Sequence, residues 1–133
     1  MIRVAVIGAG GRMGKKVIEL VAGDAATTLV AAIDGPGAPS VGSEVAPEVT
    51  VTTDVAAALA SADVYIDFST PAATRTVAEA AASANVAAVI GTTGIDEAGN
   101  SALARLAENA PVLWAPNFSL GVNLLLGLAR LAA

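Results

Sequence analysis

The chain has 133 residues, 55% of them hydrophobic but only 3% aromatic, so its core must be built mainly from Ala, Val, Leu and Ile. Its formal net charge is −5 with seven Lys and Arg residues spread thinly, which argues against a nucleic-acid partner because phosphate backbones require clustered positive charge. Cysteine and histidine are both missing, so the sequence predicts no disulfide, no thiolate metal site and no imidazole for proton transfer.

The predicted elements alternate between strands and helices along the chain. Residues 2–7 form a short, continuous apolar run that is typical of a buried parallel strand. A helix is predicted at about 12–22, with an apolar face at helical spacing that consists of Met13, Val17, Leu20 and Val21. Further strands are predicted at 28–33, 49–52, 64–68, 86–90 and 112–115, and further helices at 55–60, 71–84, 97–108 and 120–130. Asp54, Thr70 and Asp96 stand where helix N-caps are expected, whereas residues 35–47 are predicted to be an irregular loop.

This alternation predicts an α/β doubly wound parallel sheet of the Rossmann type, in a single domain with helices on both faces. In such folds ligands bind at the carboxyl ends of the strands. Five predicted strand ends carry residues suited to binding, and we expect them to meet at one edge of the sheet: 8–14, Asp34, 68–71, 91–94 and 115–118.

The first strand end is a glycine turn that leads directly into a helix. Glycine lets the backbone approach a phosphate closely, and the helix N-terminus supplies free N–H groups and a positive dipole end. The spacing of Gly8, Gly10, Gly11 and Gly14 departs from the strict G-x-G-x-x-G pattern, so a tight turn without a ligand remains the alternative. We expect the pyrophosphate of a dinucleotide to contact Gly8, Ala9, Gly10, Gly11, Arg12 and Met13.

Asp34 follows Gly14 by 20 residues and ends the second predicted strand. A carboxylate at that place accepts hydrogen bonds from the hydroxyls of an adenosine ribose, and this interpretation is favoured over the alternative of a loop side chain that faces water. The next residue is Gly35 and not an arginine, so nothing adjacent neutralises a 2′-phosphate. NAD(H) is therefore the preferred cofactor, and NADP(H) stays possible because Arg12 can compensate in part.

Two later strand ends offer groups for a nicotinamide ring. Gly91, Thr92 and Thr93 provide hydroxyls and a backbone that a ligand can approach closely. The last of the five strand ends adds Ala115, Pro116, Asn117 and Phe118. Asn117 is suited to bond a carboxamide and Phe118 to pack on the ring. The alternative for residues 91–94 is a turn that leads into a helix, and the alternative for Phe118 is a core side chain. Phe68 is also expected at this site, whereas Trp114 is predicted to lie in the core.

Four segments taken together resemble one known family: residues 8–14 (GAGGRMG), 67–71 (DFSTP), 90–94 (IGTTG) and 115–123 (APNFSLGVN). They are similar to dihydrodipicolinate reductase, also called 4-hydroxy-tetrahydrodipicolinate reductase, an oxidoreductase of the diaminopimelate and lysine pathway. The resemblance extends from Ile2 to the final helix. It implies hydride transfer from NADH or NADPH to a cyclic unsaturated imine dicarboxylate, with the cofactor held by the residues named above.

The resemblance covers only the cofactor half of that family, whose second domain carries a His-His-…-Lys motif. We therefore expect residues 1–133 to form a dinucleotide-binding domain with no catalytic residues, which binds NADH without reducing substrate. A stand-alone nucleotide-binding or sensory module is the alternative, and a methyltransferase-type domain is disfavoured by the Thr92-Thr93 and Asn117-Phe118 loops.

The predicted last helix is apolar nearly all round, so we expect self-association through it. No feature of the first residues is typical of a signal peptide, and no apolar stretch reaches the roughly 20 residues that span a bilayer. The sequence therefore predicts a cytoplasmic protein without a membrane partner.

Overall fold

The computed structural model describes residues 1–132, which form seven strands and five helices. The strands are β1 (Ile2–Ile7), β2 (Thr27–Ile33), β3 (Glu44–Ala46), β4 (Val49–Thr52), β5 (Val64–Asp67), β6 (Ala87–Ile90) and β7 (Val112–Trp114). The helices are α1 (Arg12–Gly23), α2 (Val55–Ala60), α3 (Pro71–Ala84), α4 (Glu97–Ala107) and α5 (Leu120–Ala132).

The strands form a single sheet in the order β3-β4-β2-β1-β5-β6-β7. Every neighbouring pair is parallel except β3 with β4 at one edge. From β1 the chain builds the sheet outward through β2 and β4 on one side, then crosses to β5 on the other. The predicted doubly wound Rossmann-like fold is confirmed, and its strand order reverses between β1 and β5, where such folds have their binding crevice.

Helices cover both faces of the sheet because side chains along each strand point alternately to opposite sides. Val4 and Val6 of β1 belong to a buried cluster that includes Ile18 and Val21 of α1. Ala5 and Ile7 belong to a second cluster, which contains side chains of α2, α3 and α4. The small side chains of the alanine-rich helices let them pack closely, and the two clusters fix the sheet rigidly beneath its carboxyl edge.

The rotation of α1 differs from the predicted one. An apolar face of Met13, Val17, Leu20 and Val21 was expected to be buried, but Met13 is 50% exposed and Leu20 is 63% exposed. The buried face instead carries Gly14, Ile18 and Val21. The physical reason is the contact of Gly14 with the glycine turn, which brings the helix backbone against the end of β1 and so sets its rotation.

The predicted irregular loop 35–47 contains one strand that the sequence did not reveal. β3 has three residues and pairs antiparallel with β4 through a turn in which Glu48 has a φ of +64°. A segment this short, between glycines and Pro47, has too few residues to display an alternating pattern.

The last helix, α5, lies where it was predicted but buries none of its residues. Its large apolar side chains are exposed, including Leu124, Leu125 and Leu128. No helix within residues 1–132 is both long enough and apolar enough to cross a membrane.

Candidate functional site

The glycine turn after β1 is held tightly against the end of β2. The amides of Gly8 and Ala9 both donate to the carbonyl oxygen of Ile33, at 2.9 and 3.0 Å. Gly8 has a φ of +78°, a conformation that side chains with a Cβ rarely adopt. A Cβ added to Gly14 would overlap the Gly8 carbonyl, so glycine at both positions lets α1 begin directly above the strand.

The N-terminus of α1 has no side-chain cap, unlike those of α2, α3 and α4. Side chains of Asp54, Thr70 and Asp96 cap α2, α3 and α4, respectively. The N-cap of α1 is Gly11, which has no side chain to accept from the first turn. Within residues 1–132, the three amides that follow it, those of Arg12, Met13 and Gly14, donate to no protein acceptor. They are oriented donors at the positive end of the helix dipole, the arrangement that binds phosphate.

Asp34 lies immediately after β2 and faces the glycine turn. Its Oδ2 accepts from the amide of Gly10 at 2.8 Å and from the hydroxyl of Ser40 at 2.6 Å, while its Oδ1 accepts from the amide of Gly35 at 2.9 Å. Desolvation raises the pKa of Asp34, but the hydrogen bonds from Ser40, Gly35 and Gly10 outweigh it and hold the pKa below its ordinary value. Asp34 is therefore ionised at neutral pH.

A cavity of about 670 Å³ opens at the switch point between β1 and β5. Asp34 is the one charged residue among those that line it in the described part of the chain, and Arg12 does not line it. The wall beyond the glycine turn comes from the ends of β2, β4 and β5 and from the first turns of α3. The lining residues are Ile7, Gly8, Gly11, Ile33, Asp34, Gly35, Pro36, Thr53, Val55, Phe68, Ser69, Thr70, Ala72, Ala73, Thr76 and Val77.

Phe68 connects this cavity to the later strand ends. A Cβ added to Gly91 would overlap the Phe68 ring, so the loop after β6 lies directly against it. The ring of Phe118 meets that of Phe68 edge to face, with centroids 6.0 Å apart and an interplanar angle of 67°. Asn117 accepts from the amide of Ser119 through its Oδ1, which shapes the turn that opens α5.

A buried polar cluster ties these strand ends together beneath the surface. Asp67, at the end of β5, is fully buried, and its carboxylate accepts from the amide of Ser69 at 2.8 Å and the hydroxyl of Thr74 at 2.7 Å. The Thr92 hydroxyl lies 2.9 Å from that of Thr74 and 3.4 Å from Oδ1 of Asp67. Its side chain is thus turned inward, and the whole residue is only 3% exposed, whereas the neighbouring Thr93 is exposed.

Trp114 was predicted to be a core residue, and that prediction is wrong. Its side chain is 42% exposed, and its indole nitrogen donates to the carbonyl oxygen of Thr92 at 3.1 Å. Because β7 is the last strand of the sheet and α5 packs on neither face, few side chains are available to cover it.

The structure groups the predicted residues into two neighbouring sets. Gly8, Gly11, Asp34 and Phe68 line the cavity, and Gly91 and Phe118 contact Phe68. Ala115 hydrogen-bonds to the end of β6, so Pro116 and Asn117 begin from the same sheet edge. Sequence reasoning missed Ser40 and the cavity wall at Thr53, Val55 and Thr76, because no local pattern marks residues whose role depends on tertiary packing.

The sequence model of the family described as "Dihydrodipicolinate reductase, N-terminus" matches residues 2–118 of this chain. The chain belongs to this family. The resemblance carried by the four segments is therefore confirmed, and the chain is a pyridine-nucleotide-binding domain of the dihydrodipicolinate reductase family.

Similar full-length proteins support the same assignment. The 4-hydroxy-tetrahydrodipicolinate reductase of Thiobacillus denitrificans is 49% identical over 138 residues, which cover 99% of this chain and 52% of that protein. The reductase of Psychrobacter arcticus is 46% identical over 140 residues, covering 100% of this chain and 50% of that protein. The chain thus spans about half the length of the relatives it matches.

Solved structures place the fold in the same family. The dipicolinate-bound dihydrodipicolinate reductase of Paenisporosarcina sp. TG-14 superposes with a TM-score of 0.81 at 31% identity, over 100% of this chain and 54% of that one. A protein named RSP, solved in complex with β-NADH, matches 98% of this chain and 59% of its own with a TM-score of 0.68 at 16% identity. The second likeness shows the shared fold alone.

Proposed function

We propose that this chain is the NADH-binding half of a 4-hydroxy-tetrahydrodipicolinate reductase. The observation that carries the proposal is the uncapped N-terminus of α1, which lies beside a cavity whose one charged lining residue, within residues 1–132, is Asp34. A pyrophosphate needs oriented donors, and a ribose diol needs an acceptor. The switch point supplies both.

The pyrophosphate binds at the glycine turn through main-chain donors. Gly10 and Gly11 already donate, to Asp34 and to the Gly8 carbonyl respectively, so the available amides are those of Arg12, Met13 and Gly14. Gly8, Gly10 and Gly11 contribute by close approach of their backbone. Ala9, which the sequence also predicted at the pyrophosphate, is 1% exposed and packs in the core beneath the turn. The Arg12 side chain is exposed at the helix start and adds positive charge near the phosphates.

The adenosine occupies the cavity, with its ribose at Asp34 and its base toward the walls formed by Pro36, Thr53 and Val55. The nicotinamide extends past Phe68 to the loops that carry Gly91, Thr92, Thr93, Ala115, Pro116, Asn117 and Phe118. Backbone groups of Gly91 and Thr93 and the Asn117 amide bind the carboxamide and its ribose, while Phe118 packs beside the ring. Thr92 supports this loop from below, because it is buried and its carbonyl accepts from the Trp114 indole.

NADH is expected to bind this chain at least about tenfold more tightly than NADPH, which corresponds to about 1.4 kcal/mol. The ionised Asp34 repels a 2′-phosphate, and no cation lines the described cavity. Isothermal titration calorimetry with NADH, NADPH and S-adenosylmethionine measures this directly. Equal affinity for both dinucleotides contradicts the preference, and binding of S-adenosylmethionine alone contradicts the whole proposal.

Gly35→Arg is the matched variant for this measurement. A Cβ at Gly35 meets no atom within 4 Å, so the side chain fits without displacing the loop. The arginine places a cation beside Asp34, and the preference for NADH should narrow or reverse.

The reaction proposed for the whole protein is hydride transfer to a cyclic imine dicarboxylate in diaminopimelate and lysine biosynthesis, in the cytoplasm. Residues 1–133 include no histidine and cover about half of the relatives' length, and we propose that the substrate-facing groups belong to the other half. The purified chain is therefore expected to bind NADH without oxidising it in the presence of substrate. Steady-state NADH oxidation that depends on that substrate would contradict this division between the two halves.

Self-association is proposed for α5, whose apolar side chains are all exposed. Leu124 and Leu128 are four residues apart, hence on one face of the helix, and are 61% and 55% exposed. Sedimentation velocity should show a dimer or larger species that is dispersed by the double variant Leu124→Lys, Leu128→Lys. Leu20→Lys is the control, because Leu20 is an exposed leucine of another helix. A monomeric parent chain at high concentration contradicts the proposal.

A further inference from the structure

Asp34 is held in a fixed orientation before any ligand arrives. Its Oδ2 accepts two hydrogen bonds, from Gly10 and Ser40, and its Oδ1 accepts one, from Gly35. An ionised carboxylate has about four lone-pair directions, two on each oxygen. Oδ2 is therefore saturated by the protein, and one direction on Oδ1 remains for a ligand.

The two carboxylate oxygens have different surroundings. The partners of Oδ2 are Gly10 and Ser40, and neither of them lines the cavity. The partner of Oδ1 is Gly35, which does line it. Ser40 thus holds the carboxylate from behind, and the oxygen with an acceptor direction still open lies on the side of the adenosine cavity.

Ser40 is itself positioned independently of Asp34. Its carbonyl accepts from the amide of Ser43 at 3.0 Å, and the neighbouring Gly42 donates to Val51 of β4 at 2.9 Å. Its side chain packs so closely on Gly10 that a Cβ added there would lie 2.6 Å from the Ser40 hydroxyl. The loop after β2 is therefore anchored to the sheet and presents this hydroxyl as a fixed donor.

We propose that Ser40 is a positioning residue for dinucleotide selectivity: it locks Oδ2 of Asp34 against the glycine turn, so that Oδ1 receives the ribose 2′-hydroxyl and opposes a 2′-phosphate. This inference rests on the proposed binding of NADH. The Ser40 hydroxyl has a single proton and donates it to Asp34, so Ser40 has no further donor for a phosphate. Without Ser40 the carboxylate of Asp34 can rotate away from an incoming phosphate. Its Oδ1 is then oriented toward the ribose hydroxyl for a smaller fraction of the time.

The test measures the dissociation constants of NADH and NADPH for the full chain carrying Ser40→Ala. NADH should bind about fivefold more weakly, the loss expected when one hydrogen bond of about 1 kcal/mol no longer orients the acceptor. NADPH should bind as before or more tightly, so the ratio of the two constants falls at least about fivefold. Ser40→Thr, which keeps the hydroxyl, should restore the ratio of the parent chain.

Ser43→Ala is the matched control, because its hydroxyl makes no hydrogen bond within the described residues. Ser40→Cys, with similar size and a weak donor, replaces the alanine variant if that variant does not fold. An equal loss of both affinities, an unchanged ratio, or failure of Ser40→Thr to restore it overturns the role of Ser40 while NADH binding by the parent chain stands. If the parent chain binds neither dinucleotide, the proposed function fails first.

Discussion

Gly14→Ala is expected to abolish dinucleotide binding and to lower the free energy of unfolding by about 3 kcal/mol. A methyl group at Gly14 would overlap the carbonyl of Gly8 and come within 3 Å of Ala9, both backbone atoms that cannot rotate away. Helix α1 must then tilt off the end of β1, and its open amides no longer point toward the proposed pyrophosphate site. Urea unfolding and calorimetric titration with NADH measure the two effects.

Gly23→Ala is the matched control, because it makes the same change in the last residue of the same helix. A Cβ there meets no atom within 4 Å, and alanine favours a helix over glycine by about 0.5–1 kcal/mol. This variant should be slightly more stable than the parent chain and should bind NADH unchanged. If Gly14→Ala retained full NADH affinity, the close approach of α1 to the glycine turn would not be what aims the phosphate donors.

Most of the fold could be predicted because its signals are local. Five of the six parallel strands are short apolar runs. Asp54, Thr70 and Asp96 mark the starts of three helices, and in the structure each of these side chains caps its helix. β3 has no such signal, since three residues at a sheet edge depend on β4 for their pairing. The rotation of α1 was mispredicted because hydrophobic spacing alone ignores a glycine contact made across the fold.

The residues of the candidate site also divide into those that local sequence signals predict and those that only the folded structure brings together. The glycine turn and Asp34 could be predicted because a strand end and a sequence separation define their positions in the sheet. Ser40 sits in a segment of glycines and prolines, and only the folded loop brings its hydroxyl to Asp34. Thr92 was predicted as a ligand for the cofactor from its place in a motif, yet its hydroxyl is buried among Asp67 and Thr74, whose side chains the sequence left without a role.

Asp67→Ala is expected to lower the free energy of unfolding by about 3 kcal/mol or more and to weaken NADH binding at the same time. The substitution leaves the amide of Ser69 and the hydroxyls of Thr74 and Thr92 without their buried acceptor. These groups belong to the loop after β5, to α3 and to the loop after β6. The loss therefore loosens the wall that Phe68 and Gly91 form between the two parts of the proposed cofactor site.

Two further variants test whether the effect of Asp67→Ala comes from the buried cluster of Asp67, Thr74 and Thr92 or from the loss of a negative charge alone. Asp63→Ala removes a carboxylate just before the same strand, but that group is exposed and paired with Arg3, so water replaces the lost contacts and stability should change far less. Thr74→Val keeps the shape of the cluster while removing one donor, and combined with Asp67→Ala it should cost less than the sum of the two changes. Additive losses in urea unfolding would mean that Asp67 and Thr74 stabilise the sheet edge independently, and the buried cluster would not act as one unit.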